Sequence, residues 1–385
     1  MFEKLHTMTI TRFAFPTNIH FGPGARKLAG PRLRELGFKR PLIVTDKGLA
    51  ELPPIAELKA DFEAAGLEVA VFGGVFGNPS ASQVMNGAAA YKKHKADCVV
   101  GVGGGAALDV AKVVGVLATH PGDVIEYAWD HPKVREIKET RPYFIALPTT
   151  SGTGSEVGRS SVISEEGTHI KRIIFSPLIL ARTVYADPEL TLGLPPAVTA
   201  AVGMDALTHN IESYLSPAYH PMCDGIALEG TRIAARSLLT VVREPKNLAA
   251  RADMMMASMM GAVAFQKDLG AVHSCAHALG TVCDLHHGLA NALMIEPVMS
   301  FNQEAVAGKF DELARVVGAG SGTAFVPWLA RLKQQIGLPA GLQAAGVQRT
   351  QFDRLVEVAL ADGCHATNPR VCTADDFRRF FEEAY

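Results

Sequence analysis

The chain has 385 residues, of which 48% are hydrophobic and 20% charged, with a formal net charge of −2. That length exceeds one ordinary core and points to two domains. The near-balanced charge leaves no basic footprint for nucleic acid and suits a small or modestly polar partner.

The six cysteines (98, 223, 275, 283, 364 and 372) form no C-x-x-C and read as reduced thiols of a cytoplasmic protein. The opening MFEKLHTMTITRF has no apolar core before a small-residue cleavage site, so no leader is expected there. No membrane span is expected either, because the longest apolar region, around 98–118, is broken by Asp109 and Lys112.

Elements are taken in chain order. PLIVTD (41–46) is a strand ending in an acid, followed by a helix over about 52–65. LEVAVFGG (67–74) is a second strand, and SQVMNGAAAYKKHK (82–95) has helical spacing. DCVVGVGGG (97–105) is an apolar run ending in glycines, ALDVAKVVGVLAT (107–119) a helix, and YFIALPTT (143–150) a further strand. This βαβα alternation, with continuous apolar strands, predicts a parallel sheet covered on both faces. After DPELTLGLPP (187–196) the pattern becomes helical throughout, as in ARADMMMASMMGAVAF (250–265). The expected architecture is an α/β domain of Rossmann-like type, with a parallel sheet, over 1–195 and an all-α domain over 196–385.

In GVGGGAALDVAK (101–112) a strand runs through glycines into a helix start, where backbone can approach a pyrophosphate. The standard G-x-G-x-x-G fingerprint is absent, and alone such a turn is as often only a tight turn. PTTSGTGSEV (148–157) adds a second loop, rich in hydroxyls, at the end of another strand. Two such loops at carboxyl ends of one sheet favour a nucleotide. Asp46 either accepts from ribose hydroxyls and repels a 2′-phosphate, favouring NAD over NADP, or merely caps the next helix.

The helical half places imidazoles in apolar segments. His273 and His277 in AVHSCAHALG are four apart and share a helix face; so do Asp205 and His209 in VGMDALTHNIESYLS. With His287 from LHHGLANA, the set Asp205, His209, His273 and His287 offers one carboxylate and three imidazoles to a divalent ion such as Fe2+ or Zn2+.

These segments, with ADPELT and the closing ADGCHATNPR, resemble the iron-containing, group III alcohol dehydrogenases over nearly the whole chain, on the dehydroquinate synthase-like architecture. The resemblance implies that Asp205, His209, His273 and His287 hold the metal, that His277 sits beside it without binding it and either handles a proton or contacts the nicotinamide side, and that His286 is a neighbour. It implies that Asp46, Asn78, Gly104, Gly105, Thr149, Thr150, Thr153 and Lys171 hold the dinucleotide. Cys364 and His365 match a tail segment near the substrate entrance. Where the family has GGGS this chain has Ala106, which offers only its backbone. Gly158, Arg159 and Ser160 follow GSEV in place of the usual Thr, Arg and aromatic, which opens space. Gly158, Ser160, Phe265 and Lys267 are expected to line the substrate, with Lys267 and Arg159 able to attract an anion.

The implied reaction is NAD-linked interconversion of a small primary alcohol and its aldehyde, by hydride transfer at a metal-polarised oxygen. A 4-hydroxybutyrate-like hydroxy-acid dehydrogenase or a maleylacetate reductase-like enzyme is the alternative, and a dehydroquinate synthase-like lyase a more distant one. A homodimer is the expected assembly.

Overall fold

The computed structural model describes residues 13–167 and 170–385. The opening stretch read as carrying no leader lies, up to residue 12, outside them.

The strands among the described residues are β1 (Asn18–Phe21), β2 (Pro41–Asp46), β3 (Ala70–Val75), β4 (Cys98–Gly103), β5 (Tyr143–Pro148), β6 (Ser160–Ser164), β7 (Lys171–Phe175) and β8 (Thr183–Ala186). Six of them form one sheet in the order β1-β8-β5-β4-β2-β3, every pair parallel. Both faces are covered. Leu42 and Val44 enter one apolar cluster with Val99 and Leu108, while Ile43, Val100 and Ile145 enter another with Leu58 and Phe62. Successive side chains point to opposite faces, so a strand buried on both sides reads as an unbroken apolar run.

The predicted strands and helices of the first half all form. The helices are α1 (Ala29–Glu35), α2 (Lys47–Ala50), α3 (Pro53–Ala64), α4 (Ala81–His94) and α5 (Gly105–Thr119). Local chemistry explains their starts: Pro53 opens α3, and the Ser80 hydroxyl accepts from the Gln83 amide at the head of α4. β3 starts at Ala70, not 67, because Leu67 closes the preceding turn onto Phe62. β1, at one edge of the sheet, and β8 beside it are four-residue strands, too short to stand out as periodic runs. The β6–β7 hairpin was not anticipated either; it is antiparallel, apart from the main sheet, and its short strands mix polar and apolar residues.

From Pro196 onward every regular element is helical: α6 (Pro196–Leu215), α7 (Pro221–Arg243), α8 (Leu248–Ala264), α9 (Ala271–Cys283), α10 (His287–Gln303), α11 (Ala307–Val317), α12 (Phe325–Gln335), α13 (Phe352–Ala361) and α14 (Ala374–Glu383). α6 is buried almost all round from Thr199 to Leu215, which marks it as the central helix of this half. The stretch Leu248–Lys267 has the length and apolarity of a membrane span, against the expectation that no segment does. Met254, Met255, Ala257 and Met259 are buried in the cores here, which accounts for that apolarity.

Candidate active site between the sheet and the helices

The chain leaves β2 for β3 on one side and returns to β4 on the other, so the connections after β2 and β4 diverge and leave a crevice at their carboxyl ends. Asp46 ends β2. Its Oδ1 accepts the Leu49 N–H at 2.9 Å and caps α2; its Oδ2 faces Gly103, where a Cβ would lie 3.3 Å away. One oxygen therefore serves as the cap, and the other points into the crevice.

Gly103 ends β4 with φ 151°. A side chain there is strained by the backbone and would also press on the Ala107 Cβ, at 2.6 Å. Gly104 precedes α5 without any side-chain cap, which leaves the amides of Gly105, Ala106 and Ala107 for a ligand anion.

The second loop folds over the first. The Thr149 N–H donates to the Gly103 carbonyl at 3.0 Å. A Cβ on Gly104 would meet Thr150 Cγ2 at 3.2 Å, and one on Gly105 would meet Thr153 Cγ2 at 2.7 Å. A buried network, not anticipated from the sequence, fastens the two loops. Ser155 Oγ donates to Asp109 Oδ1 at 2.6 Å, and Lys112 Nζ donates to Ser155 Oγ at 2.7 Å and the Ser160 carbonyl at 2.6 Å. The Val162 N–H donates to Asp109 Oδ2 at 2.9 Å. Burial pushes Glu156, beside Lys112, up to about 7.

The helices supply side chains. On α6, Asp205 and His209 share a face with Glu212, one further turn along. α9 carries His273 and His277, and His287 opens α10. The ligand atoms of Asp205, His209, His273 and His287 all lie within 4.8 Å of one another. From Asp205 Oδ1, the Nε2 atoms of His287, His209 and His273 are at 3.4, 3.7 and 3.9 Å. Burial holds His273 well below its ordinary pKa and pushes His287 down to about 3. Both imidazoles are thus neutral and present lone pairs inward.

Two residues passed over in the sequence complete this centre. Glu212 Oε2 lies 2.5 Å from His273 Nδ1, and its Oε1 accepts the Val272 N–H at 2.7 Å. Burial pushes Glu212 up to about 8, against backbone hydrogen bonds that lower it; a cation beyond the His273 ring favours the carboxylate. The Asn291 amide nitrogen lies 2.8 Å from Asp205 Oδ1, 3.2 Å from His287 Nε2 and 3.3 Å from His273 Nε2. Three acceptors face one donor there, while the buried Asn291 Oδ1 and His209 Nδ1 find no partner among the described residues. Such acceptor crowding, in one carboxylate and three imidazoles, fits a divalent cation.

The two halves touch at this point. A Cβ on Gly152 would lie 3.2 Å from Asp205 Oδ2, and Ser258 Oγ of α8 donates to the Gly152 carbonyl at 3.0 Å. The nucleotide-type loop therefore abuts the carboxylate of the metal-type cluster.

Other predicted residues fall around the same cleft. His277 stacks on His287 at 5.4 Å between centroids and turns Nδ1 to Asp362. Lys171 on β7 is largely buried, which lowers its pKa against the pull of Asp362 and Asp284, and a Cβ on Gly280 of α9 would lie 3.4 Å from its Nζ. Asn78 Nδ2 reaches Asp284 Oδ1 at 3.5 Å. The ligand atoms of Cys364, Asp362 and His277 lie within 4.8 Å of one another.

A cavity of 320 Å3 is lined by Gly158, Arg159, Ser160, Phe265, Phe15 and Phe175, among others. The Phe265 ring lies 5.3 Å from that of His209, which joins the cavity to the metal-type cluster.

Two expectations are corrected. Lys267 does not line the cavity: it is 1% exposed, its Nζ pairs with Asp224, and the Tyr214 carbonyl lies at 3.5 Å. A buried ammonium needs a counter-charge, and the half-buried Asp224 of α7 provides it. His365 does not face the substrate entrance either: its ring packs edge-on against Phe377 and its Nε2 lies 3.1 Å from the Leu360 carbonyl.

Comparison with known proteins agrees with this geometry. The family model for iron-containing alcohol dehydrogenase matches residues 16–188, and the model for the C-terminal part of that family matches 199–385. The 4-hydroxybutyrate dehydrogenase of Cupriavidus necator is 39% identical over 378 residues, covering 96% of this chain and 98% of that protein. A solved 1,3-propanediol oxidoreductase superposes with a TM-score of 0.93 at 36% identity, covering 98% of this chain and all of the other. Sulfoacetaldehyde reductase from Bifidobacterium kashiwanohense, solved in complex with NAD+, superposes with a TM-score of 0.90 at 28% identity over 98% of this chain and 99% of its own.

Proposed function

The chain belongs to the iron-containing alcohol dehydrogenase family, and on that premise we propose that it interconverts a small primary alcohol and its aldehyde with NAD(H), in the cleft between Thr149–Gly154 and Asp205. The observation that carries this reading is the convergence of four ligand atoms within 4.8 Å, against a loop whose Gly152 abuts Asp205.

We assign the cation to Asp205, His209, His273 and His287, with Fe2+ and Zn2+ both suited to that donor set. When bound, the cation supplies Lewis acidity at the substrate oxygen and NAD the acceptor for hydride. The protein's own residues do the rest. Gly103, Gly104 and Gly105 let backbone approach the dinucleotide, Thr150 and Thr153 border it, and Asp46 disfavours a 2′-phosphate. His277, 30% exposed beside His287, takes the proton that the alcohol loses. Phe265 and Gly158 shape the cavity in which the substrate carbon sits. We further infer a homodimer in the cytoplasm, from the frequency of twofold assemblies and the six unpaired cysteines.

The test is metal-stripped protein reloaded with Fe2+ or Zn2+ and supplied with alcohols and NAD+, followed by NADH absorbance. Ion-dependent, steady NADH accumulation is expected. Equal turnover without the ion would end this reading, and NADH that never accumulates would point to a lyase using NAD transiently.

A hydroxy-acid substrate is a second reading, favoured by Arg159 in the cavity wall and by the activity of the Cupriavidus relative. Arg159→Met is then expected to raise KM for 4-hydroxybutyrate about tenfold or more while leaving a neutral diol unchanged, the loss of one ion pair to a charged group. Equal KM changes for both substrates would remove it.

A further inference from the structure

We propose that Asp362 is a positioning residue for the reaction: it fixes His277 as the Nδ1–H tautomer and turns the bare Nε2 toward the cleft. The proposal rests on the assignment of proton handling to His277 and names what prepares that histidine.

Asp362 follows α13 in extended conformation (φ −76°, ψ 141°). Its Oδ2 lies 2.8 Å from His277 Nδ1. Its Oδ1 accepts from Ser274 Oγ at 2.8 Å and from the Cys364 N–H at 2.8 Å. Ser274 and His277 are one turn apart on α9, so a single carboxylate grips the helix at two points and the tail at a third. Burial opposes charge on Asp362, yet these donors hold it well below the usual carboxylate range. An ionised carboxylate only accepts. The hydrogen between Asp362 and His277 therefore sits on Nδ1, so that in the neutral imidazole it is Nε2 that carries the lone pair. No protein partner for that Nε2 occurs among the described residues, and the side chain is 30% exposed.

The same three residues, His277, Asp362 and Cys364, have the composition of a second metal site. The geometry argues against that use. Both Asp362 oxygens already accept from N–H or O–H donors, and burial holds the Cys364 thiol well above its ordinary pKa, so no thiolate is offered.

The balance of the step is simple. Alcohol oxidation releases a hydride to NAD+ and the O–H proton to His277 Nε2, which returns it to solvent; Asp362 keeps its charge throughout and never receives the proton.

The experiment uses Asp362→Asn in the metal-loaded enzyme. The amide oxygen still accepts from Ser274 and Cys364, whereas its NH2 donates to His277 Nδ1 and forces the hydrogen onto Nε2. Expected is a fall in kcat of about 10²- to 10⁴-fold, the usual worth of a general base, with alcohol KM, NAD+ affinity and metal content unchanged. Histidine-selective 15N NMR is expected to show His277 protonated at Nδ1 in the wild type and at Nε2 in the variant. His277→Ala separates the two levels of the argument. If that variant turns over normally, the assignment of His277 itself fails. If it is slow while Asp362→Asn is fast, only the role of Asp362 falls. The double variant should be no slower than His277→Ala, and additive losses would overturn the proposal. Should Asp362→Asn fail to fold, the wild-type spectrum decides, because an Nε2–H tautomer there refutes it.

Discussion

The two sides of the cleft are made from different materials. On the sheet side the working surface is backbone: glycines at 103, 104 and 105, uncapped amides, and a threonine loop laid against them. On the helical side it is side chains, with Asp205 and His209 projecting from α6 and His273 and His277 from α9 in register. The difference teaches where each half tolerates change. A backbone surface is lost when a side chain is added; a side-chain cluster is lost when one is removed.

That contrast predicts separable phenotypes. The largest effect is expected for His273→Ala, which removes an imidazole from the cluster and leaves Glu212 facing a void. Tight metal binding and turnover should both disappear, as read by metal analysis and NADH absorbance, while NADH still binds in a fluorescence titration. Full activity in this variant would refute the ligand assignment.

Glu212→Gln comes next. It keeps the shape but weakens the hold on His273 Nδ1, and metal affinity should drop about 10- to 100-fold, the usual effect of losing a carboxylate behind a ligating histidine. A competition titration with a chelator measures it, and an unchanged affinity would show that Glu212 only braces the start of α9.

Gly105→Val works on the other side. Its Cβ would meet Thr153 Cγ2 at 2.7 Å, and crowding of that kind costs about 1–3 kcal/mol. NAD+ affinity should weaken by about tenfold or more at constant metal content. Loss of metal instead would mean that the two surfaces are not separable.

Asp46→Gly is the mildest change. It exchanges the capping side chain for a glycine, at a cost of a few tenths of a kcal/mol, and removes the oxygen facing Gly103, so Tm should fall slightly and discrimination against NADP+ should relax. An unchanged NAD+/NADP+ ratio of kcat/KM would leave Asp46 as a cap alone.

Legibility in the sequence followed the same division. The four candidate ligands were readable because three of them fall in helices where a spacing of four puts residues on one face, and because acids and imidazoles are rare in apolar runs. Glu212 obeys the same periodicity, but its partner His273 lies 61 residues away, so the spacing alone does not reveal what its carboxylate braces. Asp362 was not readable as a partner of His277, 85 residues away, since nothing local announces which turn of α9 the tail will meet. Lys267 was misread for a related reason. A lysine near a histidine cluster looks like an anion receptor until Asp224, 43 residues earlier, is found beside it.

What the sequence alone determined was the set of elements and the chemistry each could offer. Continuous apolar strands, glycine turns at their ends and i, i+4 acids and imidazoles are local consequences of side-chain period and backbone freedom. What only the tertiary structure decided was which of these groups meet. Asp46 divides its oxygens between a cap and the crevice, Gly152 touches Asp205, Asp362 grips His277, and Lys267 is withdrawn into the core. Those outcomes depend on how the sheet and the helices pack, and packing is set by surfaces brought together from distant parts of the chain.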